Sequence, residues 1–277
     1  MIYNSNRVFD ADNSNRSLRL LHLSPQPDSS FLPSNWREDD LEYYLQEASS
    51  NALTIDRIRT PIAERIRDIE EYDGVVIGGA SHNVRDNLSF FRNIQSSVRE
   101  AIDKKVPVLG FCLGHQLMGH EFGAKIEKGR YGPEIGIVDI QKTQSGRMND
   151  LLLHLPDHFE SCSNHADIVT RLPAGSTELA HNAYENQIVE YAPNAWGVQF
   201  HPERGKRTMH TIYRTKLEGE ERRQTLDKLL TVDLSVSRRI LQNYISTVRD
   251  QHLRVAAQKD PLIEAGPIFS SPYAINP

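Results

Sequence analysis

The sequence predicts an α/β fold: an open, mainly parallel sheet flanked by helices. Three observations carry that expectation. Short apolar segments alternate with helix-patterned ones from Leu18 to Gly123. Those apolar segments are nearly continuous, as in strands covered on both faces. One of them, VPVLGF, runs into a helix-patterned segment with no polar loop between.

Residues 1–17 are polar and are expected to form a flexible N-terminal segment. Leu18–Ser24 (LRLLHLS) reads as a buried first strand, Pro25–Asn35 as a loop, Glu38–Ala48 as a short helix and Leu53–Arg59 as a second strand. Ile62–Ile69 is helix-patterned, with Pro61 near its start, where a missing N–H costs little. YDGVVIGGA is a β-rich run ended by two glycines. In Leu88–Lys104, Phe91, Ile94, Val98 and Ile102 fall at helical spacing. VPVLGF is a further strand, and His115–Gly123 a helix closed by a glycine.

The second half changes texture. GIVDIQKT and GSTELAHN read as a small antiparallel extension, followed by QIVEYAP and WGVQFHPE. GRYGPEIG (Gly129–Gly136) lacks the Lys-Ser/Thr end of a phosphate loop and reads as a turn in that extension. From Arg204 onward the text is charged and helical. Within Val232–Leu253, Ile240, Leu241, Tyr244, Ile245 and Val248 form an apolar stripe, which reads as a docking face. The expected division is therefore a flexible segment over 1–17, an α/β domain over 18–210, and a helical extension with a Pro-rich tail over 211–277.

At 277 residues the chain can bury a full core. A formal net charge of −5 gives no global attraction to nucleic acid or to an anionic membrane. No apolar run is long enough to span a bilayer, and the first residues lack an apolar signal-peptide core. A cytoplasmic location is the expectation. The two cysteines, Cys112 and Cys162, do not make a disulfide framework, which fits a reducing compartment.

Cys112 sits in Gly110-Phe111-Cys112-Leu113-Gly114, between a buried strand and a helix start. Flanking glycines reduce crowding at such a strand-to-helix elbow. The elbow exposes a sulfur at the carboxyl edge of the sheet, and the helix N-terminus favours thiolate. The Leu113 amide would point toward a developing oxyanion. On this segment alone, a cysteine packed at a strand end is an equal alternative. A zinc site is disfavoured, because Cys112, His115 and His120 lack a second ligand pair downstream. A thiol nucleophile needs an imidazole and an orienting group. WGVQFHPE offers both: an apolar strand delivers His201, and Glu203 follows two residues on. Seen alone, that turn also fits a surface feature with no role.

Taken together, VVIGGA (Val75–Ala80), PVLGFCLGHQLMGHEFGA (Pro107–Ala124), SNHADIVTRLPAG (Ser163–Gly175) and WGVQFHPE (Trp196–Glu203) resemble the class I glutamine amidotransferases. The motif text is most similar to the glutaminase domain of GMP synthases. The resemblance spans roughly Leu18 to Arg204. It implies the flavodoxin-like, three-layer amidotransferase fold, with Cys112 as nucleophile, His201 as base and Glu203 as orienting carboxylate. It places the oxyanion amides at Gly79 and Leu113, and substrate contacts at Gln116, Asn164, His165, Ala166 and Asp167. It calls for no cofactor and no metal.

The expected activity is hydrolysis of the side-chain amide of L-glutamine through a cysteine thioester, with ammonia passed to a separate synthetase. Two alternatives stand beside it: cleavage of a different γ-glutamyl amide, and a catalytically silent regulatory relative. Where the family commonly reads GGP, this chain reads GGASHNVRDN, with His82 and Arg85 near the pocket entrance. No SGGxDS segment follows within these residues, so a complete GMP synthase is not the expectation. Arg204, Lys206 and Arg207 read as a solvated face or a contact for the synthetase.

Overall fold

The computed structural model describes residues 17–25, 40–49, 53–60, 66 and 68–259. The expected flexible segment before Ser17, the loop after Pro25, most of Ile62–Ile69 and the tail from Asp260 lie outside the described residues.

The first half alternates as expected: β1 (Leu18–Ser24), α1 (Asp40–Ala48), β2 (Leu53–Arg59), β3 (Gly74–Ile77), α2 (Ser89–Asp103), β4 (Val108–Phe111) and α3 (Leu113–Glu121). The second half adds β5 (Lys125–Lys128), β6 (Glu134–Lys142), α4 (Gln144–Arg147), β7 (His158–His165), β8 (Asp167–Arg171), β9 (Thr177–His181), β10 (Ile188–Ala192) and β11 (Ala195–Val198). Helices α5 (Lys206–Lys216), α6 (Gly219–Thr231) and α7 (Ser235–Lys259) follow. The main sheet has nine strands in the order β2-β1-β3-β4-β11-β10-β9-β6-β7. Strands β2, β1, β3, β4 and β11 run parallel, in the flavodoxin-like order. Beyond β11 the pairing is antiparallel. Strands β5 and β8 form a separate antiparallel pair.

Alternation within the apolar strands builds two cores. Leu18, Leu20, Val76, Leu109, Phe111, Trp196 and Val198 face one side, with Leu41 and Leu45 of α1. Leu21, Leu23, Val75, Ile77 and Val108 face the other, with Phe91, Ile94 and Val98 of α2 and Leu117 of α3. The period-2 pleat assigns successive side chains to opposite faces, so an unbroken apolar run serves both layers.

The C-terminal stripe lies inside the first core. Ile240, Leu241, Tyr244, Ile245 and Val248 are buried there beside α1 and the parallel strands. The Tyr244 hydroxyl reaches the carbonyls of Val75 and Pro107 at 2.8 and 3.1 Å. A Cβ on Gly74 would stand 2.7 Å from that hydroxyl, so this glycine permits the close approach of α7 to the sheet. The segment read as one helix from Val232 begins at Ser235, where Asp233 accepts from the Ser235 amide at 2.9 Å.

The antiparallel half is larger than the sequence indicates. Strands β5, β7 and β8 carry no continuous apolar run; β7 buries Ser161, Ser163 and His165 instead. Residues 129–133 form the expected turn, while Glu134 already belongs to β6. Among the described residues, no helix is long and apolar enough to cross a membrane.

Candidate active site

Three loops meet at the carboxyl ends of β3, β4 and β11, where open α/β sheets bind ligands. Cys112 stands between β4 and α3 with φ 49° and ψ −104°, in a backbone region that costs a side-chain-bearing residue about 1–3 kcal/mol. Its neighbours make the turn possible. A Cβ on Gly110 would lie 2.8 Å from the Gly114 carbonyl carbon, and one on Gly114 would lie 2.7 Å from the Ile77 carbonyl oxygen. The Cys112 amide donates to the Val198 carbonyl at 2.8 Å, which fixes the elbow to β11. Helix α3 starts at Leu113, two residues before the expected His115, so its open first turn borders the sulfur.

His201 follows β11 and comes to the same place. Its amide donates to the Cys162 carbonyl at 2.8 Å, a tie from the turn after β11 to β7. Its ring interacts with the Cys112 side chain on one side and meets Glu203 on the other, with Nδ1 to Oε1 at 2.8 Å. Burial disfavours a charged ring here, but Glu203 and the Cys112 sulfur outweigh it and raise His201 from the ordinary 6.5 to about 10. Burial likewise pushes Glu203 up, and His201 with Arg204 outweighs it, holding the carboxyl below its usual range. Gly79 closes the arrangement: a Cβ there would lie 3.2 Å from His201 Cε1 and 3.3 Å from Cys112 Cβ.

A cavity of about 480 Å³ opens over these groups and brings together Gly79, Cys112, Gln116, Asn164, His165, Ala166, Asp167 and His201. Glu203 lies behind His201, 1% exposed. Gln116 is buried and donates to the Asp167 carbonyl at 2.7 Å and to Gln199 at 3.1 Å. The Leu113 side chain is buried in the second core, and its backbone begins α3 beside the sulfur. His82 lines the cavity, whereas Arg85 reaches past it to hold both oxygens of Asp167, at 2.7 and 3.2 Å. The segment after Gly79 thus holds Asp167 through Arg85.

Several contributors carry no motif. Glu134 sits at the start of β6 and receives the His165 ring at 2.7 Å, Ser163 at 3.0 Å, Asn182 at 2.6 Å and Gln187 at 3.3 Å. An acid at the first position of a largely apolar strand, PEIGIVDI, is the signal the sequence offers for it. On the other side, His22 of β1 packs under the glycine loop, with its Nε2 3.2 Å from where a Gly78 Cβ would be. Glu42 of α1 holds that ring at 2.8 Å, and Arg57 holds Glu42 at 2.5 Å. Asp40 of α1 accepts from the Gly205 amide at 2.9 Å. The first turn of α1 therefore ties the glycine loop to the turn bearing His201.

His115 and His120 are engaged elsewhere. His115 is buried against β11, meets the Tyr191 hydroxyl at 3.2 Å, and is pushed down to about 3 by burial. His120 meets Gln95 at 2.8 Å. Among the described residues, no group of three or more His, Cys, Asp or Glu side chains could hold a metal ion. Arg204 lines the cavity, and Lys206 donates to the Leu230 carbonyl at 2.9 Å.

A thiol, an imidazole and a carboxylate in series at the carboxyl edge of a doubly wound sheet is the arrangement that nucleophilic-cysteine enzymes use. The family model described as glutamine amidotransferase class-I matches residues 41–218, and the chain belongs to that family. It is 31% identical over 166 residues to a protein of Sulfolobus acidocaldarius named as a glutamine-hydrolyzing GMP synthase subunit, covering 59% of this chain and 80% of that one. It is 30% identical over 156 residues to gamma-glutamyl peptidase 4 of Arabidopsis thaliana, covering 55% of this chain and 62% of that one. The match thus spans less than two thirds of the peptidase. Among solved structures, a glutamine amidotransferase from Thermotoga maritima superposes with a TM-score of 0.67 at 26% identity, covering 85% of this chain and 99% of that one.

Proposed function

We propose that this chain hydrolyses the γ-amide of a glutamyl donor, L-glutamine being the simplest, through a thioester on Cys112. The observation that carries the reading is the series Cys112–His201–Glu203 at a left-handed elbow. The Cys112 thiolate attacks the side-chain carbonyl, and the amides of Leu113 and Gly79 receive the oxyanion. His201 protonates the leaving amine, then takes a proton from the water that releases glutamate. Glu203 holds the imidazole in orientation. Gln116 and the segment Asn164–Asp167 hold the glutamyl group.

With glutamine as donor, the product is ammonia. The relatives named as glutamine-hydrolyzing GMP synthase subunits support a separate synthetase as its acceptor. The relatives named gamma-glutamyl peptidase support a larger amine as leaving group. The chemistry at Cys112 is common to both. A glutamine analogue bearing an electrophilic diazoketone tests it: intact-mass analysis and peptide mapping are expected to find one adduct, on Cys112. Labelling of Cys162 instead, or no adduct, overturns the reading.

A further inference from the structure

The cavity at Cys112 has a wall that the glutamyl-holding residues do not account for. Its further lining includes Ser81, His82 and Asn83 of the glycine loop, together with Arg204, Ile212 and Lys216. Ile212 and Lys216 stand four residues apart on α5, hence on one face of the helix. Ile212 is 5% exposed and Lys216 is exposed, so this face runs from apolar at depth to cationic at the mouth.

The charges are unbalanced. Asp167 is the one carboxylate among the lining residues, and Arg85 already holds both its oxygens. Arg204 leans on Glu203, with Nε 3.5 Å from Oε1. Lys216 makes no ion pair among the described residues. At about 480 Å³ the cavity lies within the range of roughly 300–1,000 Å³ found for drug-sized ligands, which leaves room beyond a glutamyl group. Release of ammonia from glutamine makes no use of an apolar strip ending in a cation.

We infer that this wall binds the amine half of the donor, and that the preferred donor is a γ-glutamyl-amino acid whose leaving amine carries a carboxylate to Lys216. The inference rests on the thioester reading above. The Cys112 thiolate adds to the γ-carbonyl carbon, the C–N bond breaks, and His201 gives its proton to the departing amine. Water then adds to the thioester, His201 takes its proton, and the C–S bond breaks. One water is consumed, and glutamate and a free amino acid are released. Ile212, with Pro133 and Ile135, covers the carbon body of that amino acid.

γ-Glutamyl-alanine and γ-glutamyl-ethylamide differ only by the carboxylate on the leaving amine, so their comparison isolates Lys216. The test measures kcat/KM for both, alongside L-glutamine, in the full-length wild type, Lys216→Gln and Lys216→Arg. The wild type is expected to favour γ-glutamyl-alanine by about tenfold or more, the scale of one hydrogen bond to a charged group. Lys216→Gln is expected to narrow that ratio to within about twofold, and Lys216→Arg to restore most of it. Equal values for the two donors in the wild type overturn the inference, as does a preference that persists in Lys216→Gln. Turnover of glutamine without any carboxylate preference overturns this inference alone. No glutamate from any of the three donors overturns the thioester reading as well.

Discussion

Two histidine–carboxylate pairs lie beside one cavity, and they are nearly identical in distance. His201 meets Glu203 at 2.8 Å, and His165 meets Glu134 at 2.7 Å. Both side-chain pairs are buried. They differ in what the rest of each pair touches. The His201 ring also contacts the Cys112 sulfur, whereas His165 Nδ1 lies 3.2 Å from the Asp167 carbonyl. Glu134 takes further hydrogen bonds from Ser163, Asn182 and Gln187, so its charge is spread over a static network that braces β6 against β7. A short imidazole–carboxylate contact is therefore no sign of chemistry by itself; the free side of the ring decides. The cysteines repeat the lesson. Cys112 sits at an elbow beside an imidazole, while Cys162 lies within β7 and burial pushes its thiol up to about 12.

The largest effects separate the cysteines. Cys112→Ala is expected to abolish glutamate release, and Cys162→Ala to retain most of it, measured by a coupled glutamate assay. Wild-type turnover in Cys112→Ala would end the contrast. Next come the histidines. His201→Ala is expected to lower kcat by about 10²–10⁴-fold, the usual scale for losing a general acid–base group. His165→Ala strands Glu134 in the interior and is expected to cost about 3–5 kcal/mol in urea unfolding, with kcat of the folded fraction far less affected. The reverse pattern, with catalysis lost at His165 and retained at His201, would reassign the base.

The pH dependence of stability sharpens the same comparison. His201 has a folded-state value near 10 against an ordinary 6.5, so the native state holds a proton that the unfolded state releases. Its contribution is fully present below pH 6.5 and is lost as pH rises toward 10. Unfolding free energy should decline across that window in the wild type, and the decline should flatten in His201→Gln. A slope unchanged by that substitution would remove His201 as its source. Below pH 6.5 the buried His115, lowered to about 3, works in the opposite direction: its contribution is lost as pH falls.

The smallest expected effect lies farthest from the sulfur. Glu42→Gln weakens the support of His22 under the glycine loop, and kcat/KM should fall by about three- to tenfold, the worth of a typical hydrogen bond. A change in stability with no change in kcat/KM would confine Glu42 to a structural role.

What the sequence determined by itself is local. The elbow at Cys112 is written in its flanking glycines, because a left-handed turn packed against two backbones excludes side chains there. The central parallel strands β3 and β4 are written in their unbroken apolar runs, because both faces are covered. The position of His201 at a strand end is written in WGVQFHPE. What only the tertiary structure decided depends on neighbours remote in sequence. The pairing of β4 with β11 puts the His201 ring against the sulfur, and nothing within either segment specifies that pairing. Strand β7 is not legible in the sequence because it has no apolar run: Phe159 is buried in the first core, but Ser163 and His165 farther along are buried polar groups that bond Glu134 of another strand. The grip of Arg85 on Asp167, the brace from α1 and the seating of α7 on the sheet likewise join residues far apart in the chain. Hydrophobic pattern specifies which face a residue presents, but it carries no address for the polar partner or helix that meets that face.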